Sequence, residues 1–149
     1  MAGMTGGKKL DAYLKQIAGR IEAPGTLRVG FLEGATYRDG TSVPMVAAIQ
    51  EFGAPAKGIP PRPYFRSMIA QRAPEWGGIL AGLLVTHGYD GETALRLMGD
   101  GIAGQLRDSI VALTAPLLAP ATIAAKGSAK PLVDTGHMLN SVDYAVDTK

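Results

Sequence analysis

Leu95, Met98, Ile102, Leu106, Ile110 and Leu113 recur every three or four positions, while Arg96, Asp100, Arg107 and Asp108 fall off that line. This is the spacing of one helix face, so the segment from Gly91 to Leu113 predicts a long amphipathic helix. Gly99, Gly101 and Gly104 lie inside it, and each costs roughly 1 kcal/mol relative to Ala in a helix interior. Local propensity therefore does not hold this helix together; packing of its stripe has to. It is read as the main helix, laid across a sheet.

Two segments can supply that sheet. "TLRVGFLE" sets Leu27, Val29 and Phe31 against Arg28 and Gly30, and "SVDYAVD" sets Val142, Tyr144 and Val146 against Ser141, Asp143 and Asp147. Both show the period-2 alternation of a half-buried strand, with a polar face left for water or a neighbouring subunit. A first helix precedes them: Leu10, Leu14, Ile17 and Ile21, with Tyr13 beside them, share one face, Asp11 and Lys15 can pair on the outside, and Pro24-Gly25 stops it. "SVPMVAAIQEFG" reads as a short buried helix with Ser42 as cap, Pro44 in the first turn, Val46, Ile49 and Phe52 at helical spacing, and Gly53 as terminator. The stretches "YFRSMIAQRA" and "EWGGILAGLLVTHG" look helical on either side of Pro74.

Three segments have no long pattern and are expected to be flexible loops: 35–42, where Asp39-Gly40 makes a hairpin tip the alternative, 54–63, where the prolines force an extended, turn-like path, and 114–131. A chain of 149 residues is one domain's worth and buries roughly two-thirds of its unfolded surface, so residues 1–149 are expected to form a single domain. The absence of Cys excludes disulfides and thiolate chemistry. "MAGMTGGKK" lacks the apolar run of a secretory signal, and Pro116 and Pro120 break the most lipid-like stretch, 110–125. The expectation is a soluble chain, cytoplasmic when made, with no membrane partner.

The motif "LVDTG", residues 132–136, is how the catalytic loop of an aspartic protease is written. That chemistry needs two carboxylates sharing one proton on a β-rich body with a flap, whereas Asp134 follows helical patterns and precedes a single strand. The alternative is a helix start capped by Asp134 or Thr135, with Gly136 permitting close approach and Met138, Leu139 and Val142 facing inward. His87 and His137 stand with no second ligand at metal spacing, and no nucleophile elbow or phosphate cradle is written here. No cofactor, metal or catalytic residue is expected. Lys57, Arg62, Arg66 and Arg72 form the one local basic excess in a chain of net charge +2, a solvated face or a contact with an acidic partner such as DNA. Trp76 is either core or an interface anchor.

Three blocks in order, "VAAIQEFGAP", "IPPRPYFRSMI" and "LAPATIAAKGSAKPLVDTGHMLNSVDYAV", resemble the tail-component or virion-morphogenesis proteins of tailed bacteriophages. The resemblance covers residues 43–147, with His137 where Arg or Lys is common and Pro61 where a small residue is common. It implies an α+β fold, an antiparallel β-sheet with helices packed against it, and no enzymatic activity. It also implies a virion protein, assembled in the host cytoplasm as a ring, commonly a hexamer. The ring would sit at the neck or tail end, between the head-tail connector and the tail tube, as a tail-completion or tail-terminator protein. DNA passing through the lumen would be a further contact. A closed ring needs two different complementary patches per subunit, and the residues expected to make contacts are Glu51, Phe52, Arg62, Tyr64, Phe65 and Arg66. The competing expectations are a peptidase using Asp134 and a nucleic-acid-binding module using the 57–72 basic segment.

Overall fold

A computed structural model describes residues 6–21, 25–113 and 136–148. Among them the chain runs α1 (Gly6–Ile21), β1 (Thr26–Phe31), α2 (Val43–Phe52), a 3-10 turn (Pro55–Lys57), α3 (Tyr64–Thr86), α4 (Gly91–Ala112), α5 (His137–Asn140) and β2 (Val142–Asp147). The fold is α+β: β1 and β2 pair antiparallel, Thr26 opposite Asp147 and Phe31 opposite Val142, and the helices pack with them.

α4 is the striped helix. Asp90 caps it, accepting hydrogen bonds from Thr93 N (3.2 Å) and Thr93 Oγ1 (2.8 Å), and these bonds hold its carboxyl below the usual range. Its buried face is Ala94, Met98, Gly99, Ile102, Ala103, Leu106 and Ile110. Leu95 and Leu113 at the two ends of the predicted stripe are only half-buried. Small residues sit at its centre because the sheet comes that close. A Cβ on Gly99 would lie 2.6 Å from Tyr144 Cγ and 2.9 Å from Leu27 Cδ1, well inside van der Waals contact. The glycine's helical cost is offset by this approach, which lets Leu27, Val29, Phe31 and the β2 residues opposite them cover the helix.

α3 lies along another face of α4 and is one helix, not two, with Pro74 inside it. The proline removes the donor that the Ala70 carbonyl would meet four residues on, at a point where both residues are exposed. Trp76 Nε1 donates to Gln105 Oε1 of α4 (2.9 Å), tying the two helices together; it packs against the core.

At the Phe31–Val142 end of the sheet, α2 and α5 close the core with Val43, Ala47 and Met138 beside Val142 of β2. Ser42 Oγ accepts from Met45 N (3.3 Å), and Gly53 ends α2 at a positive φ of 75°. The buried face of α2 is Val43, Ala47 and Glu51, not the predicted Val46, Ile49 and Phe52. Phe52 is 63% exposed. The helix has rolled so that its small residues meet the Tyr64 ring, whose hydroxyl donates to the Ala47 carbonyl (3.0 Å).

α5 has Gly136 in the N-cap position at φ 74°, with no side-chain cap. Asp134 and Thr135 lie outside the described residues. Gly136 serves the left-handed backbone rather than close approach, since a Cβ there would meet only Asn140 Nδ2 at an ordinary 3.6 Å. Met138 and Val142 are buried, as their spacing predicts.

Candidate assembly surface

The junction of α2 and α3 begins with an energetic problem. A helix starts with backbone N–H groups that have no partner inside it, and α3 starts at Pro63, whose side chain offers no cap. Glu51, from the last turn of α2, supplies the missing acceptors. Its Oε2 takes Phe65 N (2.9 Å), its Oε1 takes Arg66 N (3.2 Å) and Arg66 Nε (2.7 Å), and Arg66 Nη2 returns to the Glu51 carbonyl (3.1 Å). A carboxylate at a helix N-terminus is favourable on charge as well as on hydrogen bonding, which explains how Glu51 can be only 4% exposed. The Arg66 guanidinium then lies 5.0 Å from the centroid of the Phe52 ring, a cation–π contact at the surface.

The arm 54–63 makes this geometry possible. Gly53 has no room for a side chain, since a Cβ would sit 2.8 Å from the Ile59 carbonyl. The chain folds back through the Ala54–Ile59 bridge and returns Arg62 to α2, where Arg62 N donates to the Gln50 carbonyl (2.7 Å) and Arg62 Nη1 to Gln50 Oε1 (2.8 Å). Burial holds the Arg62 guanidinium below its usual range. Burial, followed by the charges of Glu51 and Tyr37, pushes the Tyr64 hydroxyl above the usual phenol range. The Tyr64 carbonyl accepts from Ser109 Oγ (2.7 Å).

The six predicted contact residues therefore divide. Glu51, Arg62 and Tyr64 lie inside the subunit, at 4%, 5% and 1% exposure, with polar groups bound within the chain; they build the surface rather than form it. Phe52 and Arg66 stand on it, and Phe65 is half-buried at its edge. Between them runs a largely apolar cleft of about 210 Å³ lined by Phe31, Pro44, Ala48, Phe52, Tyr64 and Phe65, with the paired Glu51 and Arg66 also on its wall. Of the cleft residues contributed by α2, Ala47 and Ala48 were not singled out from the sequence.

Two of the four cations in the basic segment 57–72 face a carboxylate within the chain. Arg62 is held by Gln50, Arg66 by Glu51, and Arg72 lies 3.7 Å from Glu75; Lys57 is exposed on the 3-10 turn. Of the segments expected to be loose, 35–42 is a hairpin tip closed by the Thr36–Ser42 bridge and by Asp39 Oδ1 accepting from Thr41 N, and 114–131 lies outside the described residues. His87 ends α3, and His137 stands against the Tyr37 ring with centroids 5.8 Å apart. Among the described residues no group of three His, Cys, Asp or Glu could hold a metal ion, and no helix is long and apolar enough to cross a membrane.

No protein-family model matches this chain, and neither a curated protein nor a solved structure matches it.

A second surface lies on α1. None of its residues is buried, and Leu10, Tyr13 and Leu14 are 57%, 56% and 54% exposed. Its stripe is as regular as that of α4, yet among the described residues only Ile17 on it is even half-buried. Among the described residues a bond ties the helix down at its C-terminal end, from Arg20 Nη1 to the Gly88 carbonyl (2.9 Å).

Proposed function

We propose that this chain is a self-associating structural protein, a ring-forming component of the neck or tail end of a tailed bacteriophage, and not an enzyme. What carries the reading is the uncovered apolar surface: the α1 stripe and the exposed Phe52 beside its apolar cleft. Solvent-exposed apolar residues scattered singly are ordinary, but contiguous stripes and clefts mark contact sites. Self-association is the simplest way for one kind of subunit to cover both.

The phage assignment comes from the order of the three sequence blocks. The fold gives two of them a shared physical purpose, since Glu-Phe-Gly of the first block supplies the cap, the ring and the reversal that seat the Pro-Tyr-Phe-Arg of the second. In the proposed ring the subunits meet the head-tail connector on one side and the tail tube on the other, with DNA passing through the lumen. Sedimentation equilibrium and negative-stain electron microscopy of the purified chain test the reading. A closed ring, of six copies by resemblance, is expected. A monomer at every concentration up to the millimolar range, together with absence of the chain from phage particles, would refute it.

A further inference from the structure

The two uncovered apolar surfaces lie at opposite ends of the subunit. α1 is fastened through Arg20 to Gly88, in the turn between α3 and α4, and the chain then enters the sheet beside Leu95 and Asp147. The cleft of Phe31, Phe52 and Phe65 lies at the start of α3. α3 has 23 residues and so spans about 34 Å, which separates the two. A helix anchored at one end cannot lie in the cleft at the other, and the exposure of Leu10, Tyr13 and Leu14 shows that it does not.

The shapes and charges match between copies. A cleft of about 210 Å³ is smaller than the 300–1,000 Å³ typical of small-molecule sites, but it suits one or two anchor side chains of an amphipathic helix, which presents residues at i, i+3, i+4 and i+7. Leu10, Tyr13, Leu14 and Ile17 have that spacing. Past Phe31 the surface continues to Glu33 and Asp143, two carboxylates with no ion pair among the described residues, whereas Arg28 on the same surface is paired with Asp147; α1 carries Lys8 and Lys9, likewise in none. We infer that α1 of one copy docks its Leu10–Leu14 face in the Phe31–Phe52–Phe65 cleft of the next copy, its lysines toward Glu33 and Asp143. Two different patches at opposite ends make a head-to-tail contact, which propagates from copy to copy until it closes. This rests on the self-association reading and specifies the joint by which it occurs.

A complementation experiment on the full chain tests it. Leu14→Asp places a charge on the exposed stripe of α1, and Ala48→Arg fills the cleft from an exposed position on α2; neither touches the core, and circular dichroism checks that both remain folded. Each variant alone should associate at least about thirtyfold more weakly than the wild type, as for a central anchor residue, and run as a monomer where the wild type is assembled. An equimolar mixture should form a particle of two chains and no more, because the intact α1 of Ala48→Arg can enter the intact cleft of Leu14→Asp and neither remaining patch is usable. Wild-type assembly by either variant overturns the joint while leaving the ring reading intact, as does a mixture that stays monomeric. Unchanged mass for Leu14→Asp, with loss of binding to phosphatidylglycerol vesicles, assigns the stripe to a lipid surface instead. A wild type that never associates overturns both readings.

Discussion

Replacing Glu51 with Ala removes the side chain that caps α3, and its cost follows from the contacts it makes. The backbone N–H groups of Phe65 and Arg66 lose a charged acceptor, at 2.9 and 3.2 Å. Caps contribute about 0.5–2 kcal/mol, and hydrogen bonds to charged groups about 1.5–3 kcal/mol each. Phe65 is half-buried and Arg66 exposed, so water recovers part of both bonds, leaving roughly 1 kcal/mol apiece. The ion pair with Arg66, whose side chain is 56% exposed, adds under about 1 kcal/mol after solvent screening. Glu51→Ala should therefore destabilise the subunit by about 2–3 kcal/mol. Glu51→Gln, which keeps one acceptor oxygen, should cost about half of that. For a chain of this size the Ala variant should melt about 4–12 °C lower. Urea unfolding of both variants, followed by circular dichroism in dilute solution where association does not contribute, gives the free energies. A loss below about 0.5 kcal/mol for Glu51→Ala, the range of an ordinary surface substitution, would show that α3 does not need this cap.

Gly99→Ala should destabilise by about 1–3 kcal/mol through overpacking against Tyr144 and Leu27, whereas Gly101→Ala, facing open space two residues away, should stabilise by roughly 0.5–1 kcal/mol; paired urea curves check the opposite signs. Tyr64→Phe removes the bond to the Ala47 carbonyl and should cost about 1 kcal/mol at neutral pH. The folded-state pKa of Tyr64 is raised above its ordinary value of 10.0, so the stability contributed by its neutral form is complete below that value and lost as pH rises toward the folded one. Wild type and Tyr64→Phe should accordingly converge in stability above pH 10, as unfolding curves between pH 8 and 11 would record.

Much of the secondary structure was legible because it rests on local rules. The α4 stripe, the alternation of both strands, the Ser42 cap and the Gly53 stop each depend on residues within a few positions of one another. The roll of α2 was not legible. Val46, Ile49 and Phe52 make the more apolar face, and only the distant Tyr64 ring and the bare N-terminus of α3 turn Ala47 and Glu51 inward. For the same reason Glu51, Arg62 and Tyr64 read as contact residues. Charged and aromatic residues beside prolines look like surface until their partners, fourteen residues away for Glu51 and Phe65, are in place. α1 misleads in the opposite sense, because a regular apolar stripe does not say whether the surface that covers it belongs to the same molecule.

The order of residues alone determined that a glycine-bearing striped helix would have to be held by a sheet, and that α2 would stop at Gly53 before a segment its prolines keep out of helix. Periodicity and backbone sterics act locally, so they survive in one dimension. Which apolar face is inside, which charges neutralise one another, and which stripe is left bare were decided only when segments far apart in the chain came together. Burial and hydrogen-bond satisfaction are properties of a whole packing arrangement, and no short stretch of sequence contains them.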